Sequence, residues 1–187
     1  MNDITPNGLI VVAPVVFADA RGYFYETYNE KKFEEIGITD RFVQDNQSCS
    51  LKGVMRGLHF QKGDSAQSKL VRVVKGSVVD FVLDIREDSE TFGQMYYVYL
   101  SDDNKKQLYI PRGFAHGFIS LEDGTIFQYK CGNFYDKSAE GGYNIFSQKL
   151  NIQDELLKFM MYNDVMNANE LIDNAIISDK DRTLPNF

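Results

Sequence analysis

The sequence predicts an all-β sandwich or barrel with a few short helices, and three observations carry that expectation. Short apolar or alternating runs recur at a spacing of roughly 8–12 residues, separated by turn-rich pieces. No helical periodicity alternates with these runs, which argues against a doubly wound sheet. Near residue 153 the pattern changes, and residues 153–174 read as a helical C-terminal addition packed on the β-structure. At 187 residues the chain suits one domain, 1–187, with one sizeable core.

Taken in order, residues 9–17 are apolar but interrupted by Pro14, and read as an edge strand or two short strands. DARG at 19–22 is a turn, and the aromatic-rich stretch 23–28 a strand. Asn29 suits the N-cap of a short helix, EKKFEEIG, that ends at Gly37. Residues 42–50, 54–60, 69–75 and 77–86 follow as strands, the last two joined by a tight turn through Gly76. Residues 96–100, 107–110, 117–121 and 125–131 complete the set, and QDELLKFMMYND and DVMNANELIDN then read as helices.

Composition narrows the function classes. Hydrophobic content of 43% and charged content of 25% are those of a soluble globular protein, and no apolar run reaches membrane-spanning length. The start, MNDITPNG, has neither the basic beginning nor the apolar core of a signal peptide. Cys49 and Cys131 make at most one pair, so no disulfide framework is expected and a cytoplasmic setting is. A net charge of −7 without any basic run disfavours nucleic acid and anionic membranes as partners. An anionic small substrate would need cations gathered by the fold, for which Arg21, Arg56, Lys69 and Lys180 are candidates.

The stretch VMRGLHF at 54–60 concentrates the chemistry. In a regular strand Val54, Arg56, Leu58 and Phe60 would point to one face, and Met55, Gly57 and His59 to the other. Gly57 leaves space beside His59 for a ligand or another backbone. His59 is one of two histidines, and His116 sits in a similar setting, GFAHGF. Alone, a strand histidine is better read as a buried residue bonded to backbone. With Arg56 three residues before and Lys69 ten residues after, a base, a guanidinium and an ammonium could line one cavity.

RGLHFQ, KLV, GSVVDFVLDIR and LYIPRGFAHGF follow one another in that order, and through them the chain resembles the dTDP-4-dehydrorhamnose 3,5-epimerase family. The resemblance runs over residues 17–140, with a short recurrence at 178–185. It implies a cupin-type jelly roll, a homodimer, and a nucleotide-sugar substrate handled without a cofactor. The reaction implied inverts C3 and C5 of dTDP-4-dehydro-6-deoxy-D-glucose, giving dTDP-4-dehydro-L-rhamnose. Both carbons flank the C4 ketone, so removing either proton places enolate charge on O4. The resemblance makes His59 the base, Asp181 its orienting carboxylate, Tyr129 the opposing acid and Lys69 the cation at the enolate oxygen. Asp80 and Asp84, on one face of VVDFVLDIR, are local alternatives to Asp181.

Substrate contacts implied by the same patterns are Arg21 and Glu26, then Gln44, Asp45 and Asn46. Arg56 is expected at a diphosphate oxygen, where a guanidinium makes paired charged hydrogen bonds. His116 is expected at sugar or phosphate, Tyr135 stacked on thymine, and Glu140 and Lys180 at further ligand atoms. The chain departs from the family in having no tryptophan, with Ile145-Phe146-Ser147 where a Trp-Asn-Asp-like segment is usual, and in a longer stretch between Glu140 and Ser178. A metal site is not expected: two histidines cannot form a three-histidine zinc site within one chain, and His59-Phe60-Gln61 lacks the cupin HxH. The alternatives left open are a mono-epimerase, a metal-dependent cupin oxygenase and a non-catalytic sugar-nucleotide binding protein.

Overall fold

Two antiparallel sheets stack with their apolar faces together in a computed structural model that describes residues 3–5 and 7–187. The reading of the MNDITPNG start therefore falls in part outside the described residues. In chain order the elements are β1 (Asp3–Ile4), β2 (Ile10–Val12), β3 (Phe17–Asp19), β4 (Gly22–Phe24), α1 (Glu30–Glu35), β5 (Gln44–Ser50) and β6 (Met55–Gln61). Then come β7 (Lys69–Lys75), β8 (Ser77–Asp84), β9 (Met95–Ser101), β10 (Gln107–Ile110), β11 (Phe114–Ser120), β12 (Thr125–Cys131) and β13 (Glu140–Gly142). The chain closes with α2 (Ile152–Tyr162), α3 (Ala168–Asp173) and α4 (Asp179–Arg182).

One sheet has the order β1-β2-β10-β7-β12-β5, the other β13-β6-β11-β8-β9, and β3-β4 form a separate hairpin. Among the described residues the sheets stay open, so the architecture is a jelly-roll sandwich rather than a closed barrel. Every residue of β8 is buried, because both its faces are covered. Val78 and Val82 meet Val71, Val73, Leu108 and Phe127 between the sheets, whereas Val79, Phe81 and Leu83 point the other way, toward the C-terminal helices.

Those helices dock through one stripe. Ile152, Leu156 and Met160 recur four residues apart on α2 and join the Val79–Phe81–Leu83 face in one apolar cluster. Burying Leu156 or Met160 contributes roughly 1.5–3 kcal/mol each. The ion pair of Lys158 and Glu155 on the outer side is exposed and contributes little. Packing, not charge, holds α2 in place.

Two expected strands are much shorter than the sequence suggests, and those at 42–50 and 77–86 each lose two residues. Residues 9–17 do not run as one strand: β2 stops at Val12, before Pro14, and Phe17 pairs instead with Phe24 across the Asp19–Gly22 turn. The aromatic strand at 23–28 is reduced to β4. Asn29 caps α1 by accepting from the Lys32 N–H, and Gly37 follows the helix at φ +92°, as the sequence predicts. No described helix is long and apolar enough to cross a membrane.

Candidate active site

The site is built where β6 and β11 approach most closely. A Cβ on Gly57 would lie 2.6 Å from the Gly117 Cα, and one on Gly117 would lie 2.6 Å from the Arg56 carbonyl oxygen. Only glycines allow that approach. The register slips here: His116 pairs with His59, but Phe118 pairs with Arg56, so three steps along β6 match two along β11. The regular alternation expected over 54–60 is therefore broken. Arg56 and His59, assigned to opposite faces by strand parity, line the same cavity because one extra residue lies between them.

That cavity has a volume of about 330 Å³ and is lined by Arg56, His59, Lys69, His116, Tyr129 and Asp181, among others. His59 Nε2 and Asp181 Oδ1 are 2.8 Å apart. Asp181 is held by two further hydrogen bonds and is buried. Its Oδ2 accepts from the Gly57 N–H at 3.2 Å, its own N–H donates to the Ser178 Oγ at 3.1 Å, and its side chain is 6% exposed. Burial is the largest influence on this carboxyl and pushes its pKa up. The hydrogen bonds from His59 and Gly57, with the charge of His59, outweigh burial and hold it below its ordinary value. An ionised Asp181 accepts from Nε2–H and leaves Nδ1 as the basic nitrogen of a ring that is 34% exposed. Asp80 and Asp84 do not serve His59: Asp80 meets His116, and Asp84 is bound by Arg86, Ser89 and Thr91.

Around this pair stand the groups expected for charge and proton transfer. Burial pushes the Lys69 ammonium below its ordinary pKa, opposed by Cys131 and Asp80. The Lys69 Nζ lies 5.9 Å from the centre of the Tyr129 ring, whose phenol burial pushes up. Arg56 Nε donates to the Ser50 Oγ at 3.3 Å. His116 Nε2 and Asp80 Oδ2 are 2.8 Å apart, both side chains are buried, and burial pushes the imidazole below its usual value.

A smaller recess of about 120 Å³ shares His59, Lys69 and Tyr129 and adds Gln44, Asn46, Phe60, Gln61, Gln67, Tyr135 and Glu140. The Tyr135 hydroxyl donates to Glu140 Oε2 at 3.3 Å, and Lys180 Nζ to Glu140 Oε1 at 2.6 Å. Lys180 holds the Glu140 carboxyl below its usual range.

Three residues expected at the site are elsewhere. Asp45 alternates with Gln44 and Asn46 along β5, so its side chain leaves by the opposite face and pairs with Lys130 at 3.0 Å. Arg21 is 90% exposed on the β3-β4 hairpin and paired with Asp19, and Glu26 is paired with Lys32. Neither lines the cavity of its own chain. Sequence reasoning also missed contributors: Ser50, Ser178 and the pairing of Asp80 with His116. A charge inside the otherwise apolar run VVDFVL was a signal for a buried partner of Asp80, though not for its identity. Among the described residues no three His, Cys, Asp or Glu side chains form a metal-ligand cluster.

Known proteins resemble this chain in sequence and in fold. Residues 4–187 match the family model for dTDP-4-dehydrorhamnose 3,5-epimerase. The enzyme of that name from Salmonella typhimurium is 45% identical over 172 residues, covering 91% of this chain and 94% of its own. The crystal structure of the Elizabethkingia anophelis dTDP-4-dehydrorhamnose 3,5-epimerase superposes with a TM-score of 0.85 at 46% identity, covering 100% of this chain and 96% of that one. A Legionella pneumophila epimerase solved in complex with dTDP-4-keto-L-rhamnose gives a TM-score of 0.84 at 39% identity, covering 100% and 98%.

Proposed function

The chain belongs to the dTDP-4-dehydrorhamnose 3,5-epimerase family, and from that premise we propose how its residues perform the reaction. The activity is that of an epimerase converting dTDP-4-dehydro-6-deoxy-D-glucose to dTDP-4-dehydro-L-rhamnose. His59, oriented by Asp181, takes the proton from C3 or C5. Charge develops on O4, where the Lys69 ammonium meets it; one well-placed donor is worth about 3–4 kcal/mol. Tyr129 returns a proton to the opposite face, and its raised pKa keeps the phenol protonated for that step. Arg56 and His116 bind the diphosphate or sugar, and Tyr135 stacks on the thymine beside Gln44, Asn46, Glu140 and Lys180.

The observation that supports this reading most is the His59–Asp181 pair opening on a cavity that also holds Lys69 and Tyr129. No cofactor has a part in it. Arg21 and Glu26 fit if the protein is a homodimer whose hairpin reaches the partner's site. Phe17, Tyr23 and Phe24 are exposed there, beside an apolar groove lined by Pro14, Val15, Phe33 and Ile36. A cytoplasmic location accords with a nucleotide-sugar substrate.

The test is NMR of dTDP-4-keto-6-deoxyglucose with the protein in deuterated water, with and without chelator. Solvent deuterium should appear at both C3 and C5, unaffected by chelator. Exchange at C3 alone would reassign the protein as a mono-epimerase, and exchange at neither carbon would end the epimerase reading. Light scattering that gave a monomer mass would remove the role proposed for Arg21 and Glu26.

A further inference from the structure

We propose that Asp80 is a positioning residue of this reaction: one carboxylate oxygen fixes the His116 ring, and its charge holds Lys69 as an ammonium against the developing enolate. The inference rests on the role given above to Lys69. Asp80 lies in β8, which is buried throughout, and it does not itself line the cavity. It stands behind His116 and Lys69, which do.

A carboxylate in such a strand is costly unless fully paired. Asp84, four residues on and on the same face, meets that requirement. Its two oxygens accept from the Arg86 side chain and N–H, from Ser89 and from Thr91. Asp80 does not. Its Oδ2 takes the His116 Nε2 hydrogen bond at 2.8 Å, while Oδ1 is buried and has no hydrogen-bond partner among the described residues. The same strand thus satisfies one buried carboxylate completely and leaves the other half-paired beside two cavity-lining bases. An incompletely paired buried group calls for an explanation other than packing.

The electrostatics supply one. Burial pushes the Asp80 carboxyl up and His116 toward the neutral imidazole; above that raised value Asp80 is ionised, and the neutral ring bonds it without cancelling its charge. That charge acts on Lys69, which burial would otherwise drive toward the neutral amine. The groups facing Lys69 are Asp80 from β8, His116 from β11, Tyr129 and Cys131 from β12, Arg56 and His59 from β6, Asp181 from α4, and Tyr135 and Glu140 across the smaller recess. Of the carboxylates, Asp181 is engaged by His59 and Gly57, and Glu140 by Lys180 and Tyr135. Asp80 is the one left with an oxygen unpaired among the described residues.

Asp80→Asn tests the idea, because the amide keeps the shape and an acceptor for His116 while removing the charge. Turnover should fall about tenfold to a hundredfold, less than loss of a whole donor, with KM changed less than about threefold. The basic limb of the pH–rate profile should move down by about one pH unit or more, since Lys69 then loses its proton earlier. In a Lys69→Arg background, where the guanidinium keeps its proton, Asp80→Asn should cost little further. Unchanged turnover with an unmoved basic limb would overturn the proposal, as would an equal loss in both backgrounds. Should Asp80→Asn fold poorly, NMR titration of the Lys69 side chain in the unaltered protein bound to dTDP decides the matter. An amine still protonated above about pH 8 supports the proposal, and one neutral below about pH 7 overturns it. Absence of any exchange in the unaltered protein would count against the epimerase reading instead.

Discussion

Two histidine–carboxylate pairs sit on neighbouring strands of one sheet, each with Nε2 and a carboxylate oxygen 2.8 Å apart, yet their surroundings differ. His59 is one-third exposed, and its carboxylate arrives on α4, 122 residues away in sequence. His116 is almost wholly buried, and its carboxylate is on the adjacent strand. Asp181 is held below its ordinary pKa by hydrogen bonds from His59, Gly57 and Ser178, which overcome the opposing effect of burial. Asp80 is pushed above its ordinary value by burial, which its two basic neighbours only partly offset. The same pair of residue types thus presents a ring one-third open to the cavity at His59, and at His116 a nearly closed ring that lines the cavity with its carboxylate buried behind it. Accessibility and the completeness of the carboxylate's pairing make the difference, not the distance.

The contrast breaks or sharpens most at the bases themselves. His59→Ala should abolish both solvent exchange and inversion, a loss of about 10²–10⁴-fold or more, or roughly 3–5 kcal/mol of barrier. His116→Ala should weaken turnover but leave exchange at C3 and C5 measurable by NMR. Equal loss in the two variants would erase the distinction. Tyr129→Phe divides the steps further: His59 can still take a proton and return it to the same face. Exchange should then persist while inversion falls about 10²–10⁴-fold. Inversion at the parent rate would leave Tyr129 a packed ring only.

Next in size is the orienting carboxylate. Asp181→Asn should lower kcat by about 10²–10³-fold, the range for an impaired general base, with KM changed little. Asp179→Asn, two residues earlier and exposed, should be close to neutral in the same assay. Comparable, mild effects of both would mean that Asp181 does not set the His59 tautomer.

The backbone that brings the two pairs side by side has its own prediction. Gly57 adopts φ +116° and touches Gly117, so Gly57→Ala adds both a strained dihedral and a backbone clash. It should destabilise the protein by about 2–4 kcal/mol in chemical denaturation. A value near zero would show that β6 can re-register without cost.

The smallest effect is a difference in sign. Asp181 has a folded pKa below its unfolded value, so its contribution to stability is complete above the unfolded value, near pH 4, and lost as the pH falls through the folded one. Asp80 has a folded pKa above its unfolded value, so its proton-linked contribution is present below about pH 4 and lost as the pH rises through the folded one. Thermal midpoints measured from neutral pH downward should follow suit. Relative to the parent, Asp181→Asn should gain as the solution is acidified and Asp80→Asn should decline. Parallel trends in the two variants would remove the asymmetry.

Much of this was legible in the chain, for local reasons. Asn29 and Gly37 mark the ends of α1 because capping and a left-handed backbone depend on neighbouring residues only. β7, β10 and β12 begin and end where their apolar runs do. The cavity groups His59, Lys69, His116 and Tyr129 were legible through ordered motifs, and these four come together in the fold. Asp45 was misplaced because a motif names residues without their parity, and β5 sends alternate side chains to opposite faces.

By itself the sequence determined the strand-rich class, the turns, the caps and the roster of reactive side chains, since each follows from short-range sterics or from residue chemistry. Tertiary structure alone decided which carboxylate meets which histidine. Asp80, Asp84 and Asp181 were all open as partners for His59, and only the docking of α2 and α3 and the return of α4 to β6 bring Asp181 there. It also decided that Arg56 and His59 share a face. One extra residue beside Gly57 reverses strand parity, and that slip depends on how closely β11 approaches. Pairing, register and burial are relations between segments distant in sequence, so no local pattern can carry them.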